Sequence, residues 1–186
     1  MKKARQYYVK QMLICRFSLC AVMAFFCLNA FSQQSNSNRI EWSEDLCLEW
    51  TDFKGKPDYR LQRIGAITTS IIQYKYHCEN GYLQFSAKAI FQCDESWVKP
   101  ESMDNQTLEH ERLHFDITEA YTRILLDEVK SRQWKCNEVA ELEKVIKWVM
   151  GDWREFQAKY DHQTWYSQNT PKQKQWNETI RTMLHL

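Results

Sequence analysis

This chain of 186 residues is informative first through what it lacks. It has no basic stripe: its lysines and arginines are scattered among acidic residues, which argues against a nucleic-acid partner. None of its seven cysteines forms a C-x-x-C pair, so no thiolate metal site is written in the usual spacing. Internal repeats and low-complexity runs are absent as well, which excludes a solenoid architecture. Long apolar runs are confined to the start, where Met12 to Phe31 is mostly apolar.

That start reads as a targeting segment. Lys2, Lys3, Arg5 and Lys10 precede the apolar run, and Ala30-Phe31-Ser32 closes it with small-x-small spacing, as in a cleaved secretory signal over residues 1–32. Arg16 interrupts the run, which favours cleavage over a retained anchor. A lipoprotein signal is disfavoured because Phe26 precedes Cys27 where a small residue is expected. The expectation is a protein that is secreted or periplasmic, with no stable membrane span after cleavage. Without the segment, 20 of the 25 basic residues and all 24 acidic ones remain, so the formal charge moves from +1 to −4. About 154 residues are left, enough for one domain over 40–186 after a polar linker at 33–39.

Four cysteines stay behind: Cys47, Cys78, Cys93 and Cys136. An even count in an exported chain predicts two disulfides. Cys78 and Cys93 sit on consecutive predicted strands and are the favoured pair, leaving Cys47 with Cys136.

The periodicity predicts an α+β fold, with a small antiparallel sheet followed by three helices. Strands are expected at Ile40–Trp50, Ile64–Cys78 and Tyr82–Cys93, with a turn near Gly55 and a hairpin turn at Asn80-Gly81. Ser96 to Pro100 should break the pattern. Helices follow at Asn105–Lys130 and Asn137–Tyr166, and a last one opens at Thr170-Pro171 and carries Trp176, Ile180 and Leu184. Leu113, Ile117, Ala120, Tyr121 and Ile124 make the apolar stripe of the first helix. Val139, Leu142, Ile146, Val149, Trp153, Phe156 and Tyr160 make that of the second, at core-packing spacing.

The chemistry lies in Leu108 to Asp116, which carries His110, Glu111 and His114 as H-E-x-x-H. Residues four apart share a helix face, so the two imidazoles can converge on one ion. Glu111 lies about 100° round the same turn, within reach of a proton on an activated water. Both histidines fall at the edge of the apolar stripe, where imidazoles need a polar partner. Asp116 points well away from their shared direction and is not assigned as a ligand.

Several separate blocks then carry a resemblance. They are Leu48-Glu49-Trp50-Thr51-Asp52-Phe53-Lys54-Gly55-Lys56-Pro57, Ala66-Ile67-Thr68-Thr69-Ser70, Ser96-Trp97, His110 to Asp116, Tyr160-Asp161 with Thr164, and Gln175-Trp176. Together they resemble a bacterial secreted family of uncharacterised domains grouped with the zinc-dependent H-E-x-x-H proteases. The resemblance implies a zincin-like site with zinc, His110 and His114 as ligands and Glu111 as base. It also implies a protein or peptide substrate. In that family a histidine follows Tyr-Asp-x-x-Thr by two residues; here Tyr166 stands there. The third ligand is therefore open between His162, one turn earlier, Tyr166 itself and Asp161. Two functions follow: a secreted zinc metalloprotease, or a non-catalytic exported binding or envelope module whose metal site has degenerated.

Overall fold

The computed structural model describes residues 38–185. The expected signal segment and most of the linker lie outside the described residues. The fold is α+β. Five strands, β1 (Arg39–Glu41), β2 (Ala66–Ile67), β3 (Ser70–Glu79), β4 (Tyr82–Gln92) and β5 (Trp97–Val98), precede three helices: α1 (Asn105–Lys130), α2 (Val139–Thr164) and α3 (Thr170–His185). Single 3-10 turns occur at Trp50–Asp52 and Pro100–Ser102. Among the described residues no helix is long and apolar enough to cross a membrane.

The β3–β4 hairpin forms where local chemistry demands it. Asn80 and Gly81 both take positive φ, 50° and 84°, which matches a two-residue turn to the twist of the strands. β1 adds to the other edge of β4, giving the antiparallel order β1-β4-β3. The apolar residues of β3 and β4 face α1, which has the sheet on one side and α2 and α3 on the other. Ile117, Leu125, Leu142, Ile146 and Ile180 are fully buried there, each contributing roughly 1.5–3 kcal/mol of apolar transfer. A smaller core of Leu48, Phe53, Phe91, Val98 and Phe115 lies on the β1 side. α1 opens sharply because Asp104 caps it, accepting the Thr107 N–H at 2.8 Å.

The other short strands depart from the expected pattern for tertiary reasons. The run from Ile40 leaves the sheet after Glu41: Leu46 N–H turns back to Ser43, and Glu49 N–H is capped by the Asp52 carboxylate. Ile64–Cys78 divides at Thr68-Thr69, because Ser96 Oγ accepts the Thr69 N–H at 2.9 Å. This frees Ala66-Ile67 to pair with Val98 and Trp97, so the segment expected to break the pattern is a strand. Gly55 makes a necessary close approach: its N–H meets Ser96 O at 2.7 Å, and a Cβ there would stand 2.7 Å from the same oxygen.

One disulfide is formed among the described residues, between Cys78 and Cys136, and this corrects the expected pairings. In the hairpin Cys78 lies opposite Leu83. Cys93 is ten residues further along the strand, roughly 33 Å away at the rise of extended chain. Cys136 instead reaches the hairpin tip, because its N–H bonds Gly81 O and Leu83 N–H bonds Trp134 O. Cys47 is an exposed thiol and Cys93 a buried one. The bond closes a loop with a sequence separation of 58, for which chain entropy gives about 4 kcal/mol. Replacing both Cys78 and Cys136 with Ser should lower the melting temperature by about 10 °C. A change below about 2 °C would show that the hairpin tip is held without it.

Candidate metal centre

The centre is built on facing stretches of α1 and α2. On α1, His110 and His114 point the same way, and His110 stacks on the Tyr160 ring with centroids 4.5 Å apart. Tyr160 and Thr164, fully buried, fix the rotation of α2 against α1. That rotation presents Gln157, Asp161 and Thr164 to the imidazoles, at spacings of four and three along one helix face. Asp161 Oδ1 lies 3.1 Å from His110 Nε2 and 2.9 Å from His114 Nε2, and the two Nε2 atoms are 3.2 Å apart.

The outer ring nitrogens determine what that triangle contains. His114 Nδ1 lies 2.6 Å from Gln157 Oε1. The orientation of that amide is fixed, because its Nε2 donates to His114 O and Thr118 Oγ1. His110 Nδ1 lies 3.1 Å from Gln173 Oε1 of α3. The Gln173 Nε2 donates to Asn177, whose own amide donates to Glu109. When both rings are neutral, each Nδ1 thus donates a proton to an amide oxygen, and each Nε2 turns a lone pair toward the other and toward a carboxylate oxygen. Three acceptors this close are satisfied by a shared proton or by a metal ion among them. Donor atoms around a small tetrahedral ion with bonds near 2.0–2.1 Å stand about 3.3 Å apart, and the triangle matches that size. His110, His114 and Asp161 could therefore hold a metal ion.

Without the ion, protons take its place. Burial alone would lower the His114 pKa, but the hydrogen bond and charge of Asp161, with Glu111 nearby, lift it to about 9. Burial would raise Asp161, yet its bonds to His110 and His114 hold it well below the usual carboxylate range. The sign follows from both. The raised His114 stabilises the metal-free protein fully below its unfolded pKa of 6.5, and that contribution is lost as pH rises through about 9. The lowered Asp161 contributes above 3.8 and loses that contribution only as pH falls below it. An ion must displace the His114 proton, so its affinity should rise roughly tenfold per pH unit between neutrality and about 9. Melting curves with and without metal at pH 6.5, 7.5 and 8.5 test this; a metal-induced shift independent of pH would remove His114 from the ligand set.

The remaining sequence candidates fall around this triangle. Asp161 is the third member of the group that could hold a metal ion. His162, the next residue on α2, is turned to solvent, and Tyr166 lies beyond the helix end; both line the adjoining cavity without joining the donor group. Glu111 is 3 % exposed, and its Oε2 has no hydrogen-bond partner. Its backbone carbonyl accepts from Thr68 Oγ1, which ties the end of β2 to the motif. Asp116 is occupied elsewhere, accepting the Trp42 indole N–H at 2.8 Å. The residues unforeseen from sequence are Gln157 and Gln173; Thr164 stands in a block that carries the resemblance, without a role. The polar i, i+4, i+7 stripe of Gln157, Asp161 and Thr164 beside the apolar face of α2 was the available signal.

The triangle and Glu111 open into a cavity of about 1040 Å³, walled by the 62–68 segment, the start of α1 and residues 165–168. Trp165, Tyr166 and Ser167 take three successive left-handed conformations, with φ of 50°, 51° and 76°. Each costs on the order of 1 kcal/mol for a residue with a side chain. The turn is held by Gln106, whose amide donates to Ser167 O, and by Asn169 N–H to Thr164 O at 2.7 Å. No family model matches this chain, and no curated protein or solved structure matches it either.

Proposed function

We propose that the protein is an exported zinc-dependent hydrolase that cleaves peptide bonds. The observation that supports this best is Glu111 Oε2, a buried carboxylate oxygen without a partner, on a cavity-lining residue one position from a metal ligand. An orphaned buried acceptor is costly unless it serves a proton that arrives with the reaction. The donor set also suits zinc: two imidazoles and one carboxylate leave a fourth position open, whereas calcium and magnesium favour oxygen ligands. The sequence resemblance to secreted H-E-x-x-H proteases points the same way. A disulfide between Cys78 and Cys136 is the kind of bond that persists outside the cytosol and supports export.

In this reading His110, His114 and Asp161 hold the zinc, with Gln157 and Gln173 fixing the imidazoles. The ion supplies Lewis acidity toward a carbonyl oxygen. Glu111 accepts a proton from the attacking water as the new C–O bond forms. It then returns that proton to the amine nitrogen as the C–N bond breaks. The non-catalytic alternative draws on Tyr166 standing where a histidine is expected and on the small size of the domain; Asp161 beside the imidazoles answers the first of these and not the second.

Elemental analysis of the purified protein, together with a casein-cleavage assay, tests the proposal. One zinc per chain is expected, with cleavage lost on chelation and restored by zinc. Two histidines and a carboxylate also suit ferrous iron, so iron in place of zinc would redirect the chemistry. Neither zinc nor cleavage after reconstitution would sink the reading.

A further inference from the structure

Seven large hydrophobic residues are exposed among the described residues; two of them line the cavity, and three more lie beside its lining residues in the chain or against Lys99. Trp165 and Tyr166, 64 % and 44 % exposed, line the cavity beside the metal group. Met103 lies between the lining residues Ser102 and Asp104, and Leu61 precedes the lining residue Gln62. The Tyr59 ring carries the ammonium of Lys99, another lining residue, at 5.7 Å. Exposed hydrophobics scattered singly need no explanation, but a cluster around a cleft marks a surface that something covers. A second observation is independent of exposure. The backbone of Trp165-Tyr166-Ser167 is left-handed throughout, a conformation that glycine would adopt without strain, yet the sequence places two large aromatics there. Strain of that kind, held by bonds from Gln106 and Asn169, indicates that the positions of those rings matter.

We propose that this rim binds an extended polypeptide segment through its bulky apolar side chains, so that the substrate class of the cleft is apolar-rich unfolded chain. The inference rests on the hydrolase reading only for what happens after binding. The occupant is chosen by chemistry. Lining charges cancel in pairs, Arg63 and Lys99 against Glu101 and Asp104, and a divalent ion would balance Asp161 and Glu111. An anionic membrane surface or a nucleic acid would call for a net basic rim. Aromatic rings beside flexible aliphatic side chains accommodate varied peptide side chains.

The test uses the zinc-loaded Glu111→Gln variant, so that binding is read without turnover. A fluorescent peptide of alternating Leu, Phe and Lys is titrated by anisotropy against a Gly-Ser-Lys peptide of equal length and charge. Phosphatidylglycerol–phosphatidylethanolamine vesicles form a third arm. The apolar peptide should bind at least tenfold tighter than its control. Added Trp165→Gly and Met103→Ser changes should each weaken it about tenfold, the effect of losing one buried large side chain, with zinc content unchanged. Trp165→Gly relaxes the backbone at that position, so a folding failure is not expected to mask the result. Unchanged affinity in both variants would overturn the proposal, as would binding of the vesicles in preference to the peptide. Cleavage by the unaltered protein separates the two readings. Selective binding of the apolar peptide with no cleavage keeps the rim and removes the hydrolase. Equal cleavage of both peptides removes the rim and keeps the hydrolase.

Discussion

Replacing Glu111 with Gln should reduce kcat by roughly 10²–10⁴-fold while zinc stays bound at one per chain. The substitution keeps the volume of a side chain that is 3 % exposed, so packing of α1 is undisturbed. It removes the ability of Oε2, which has no hydrogen-bond partner, to accept and carry a proton, the role proposed for it. It also removes a negative charge that attracts the His114 proton and, more strongly, a divalent ion, so metal affinity at neutral pH should fall modestly without loss of the ion. Retained turnover would mean that another group takes the proton. Lost zinc would mean that Glu111 belongs to the ligand set.

The second large effect concerns Asp161. Zinc sites with four protein ligands bind with roughly 10–16 kcal/mol, so one ligand carries on the order of 3 kcal/mol. Asp161→Ala should then weaken zinc binding by more than a hundredfold and abolish cleavage at limiting metal. His162→Ala and Tyr166→Phe should leave zinc content unaltered, because neither side chain belongs to the donor group. Competition against a chromophoric chelator reads all three variants on one scale. If His162→Ala releases the metal and Asp161→Ala does not, the triangle is misassigned.

What the sequence made legible follows the range of the forces involved. The limits of α1 match expectation because Asp104 caps it locally and its apolar stripe keeps a helical period. The Asn80-Gly81 turn was equally legible, since its positive φ values are a property of those two residues. β1, β2 and β5 were misread, because their pairings, such as Ile40 with Phe91 and Ala66 with Val98, join distant segments. The disulfide failed for the same reason. Adjacent strands bring neighbours together only at matched register, and Cys78 and Cys93 lie at opposite ends of the hairpin. His110, Glu111 and His114 were found by spacing along one helix. The choice of Asp161 over His162 turns on a rotation of about 100° about the α2 axis. Buried Tyr160 and Thr164 set that rotation through contacts with α1 that spacing within α2 does not encode.

The disulfide and the donor triangle occupy opposite ends of the same helix pair. The α1–α2 connection is tied to the hairpin tip by Cys136, while His110, His114 and Asp161 join the other ends of the two helices. Without an ion in the triangle the helix pair therefore has one fastened end and one held by packing and protons alone, next to the strained 165–167 turn. Local opening should begin there, and that turn is where a protease would first cut a metal-free chain. If the triangle holds an ion, metal supply would then govern the lifetime of the chain.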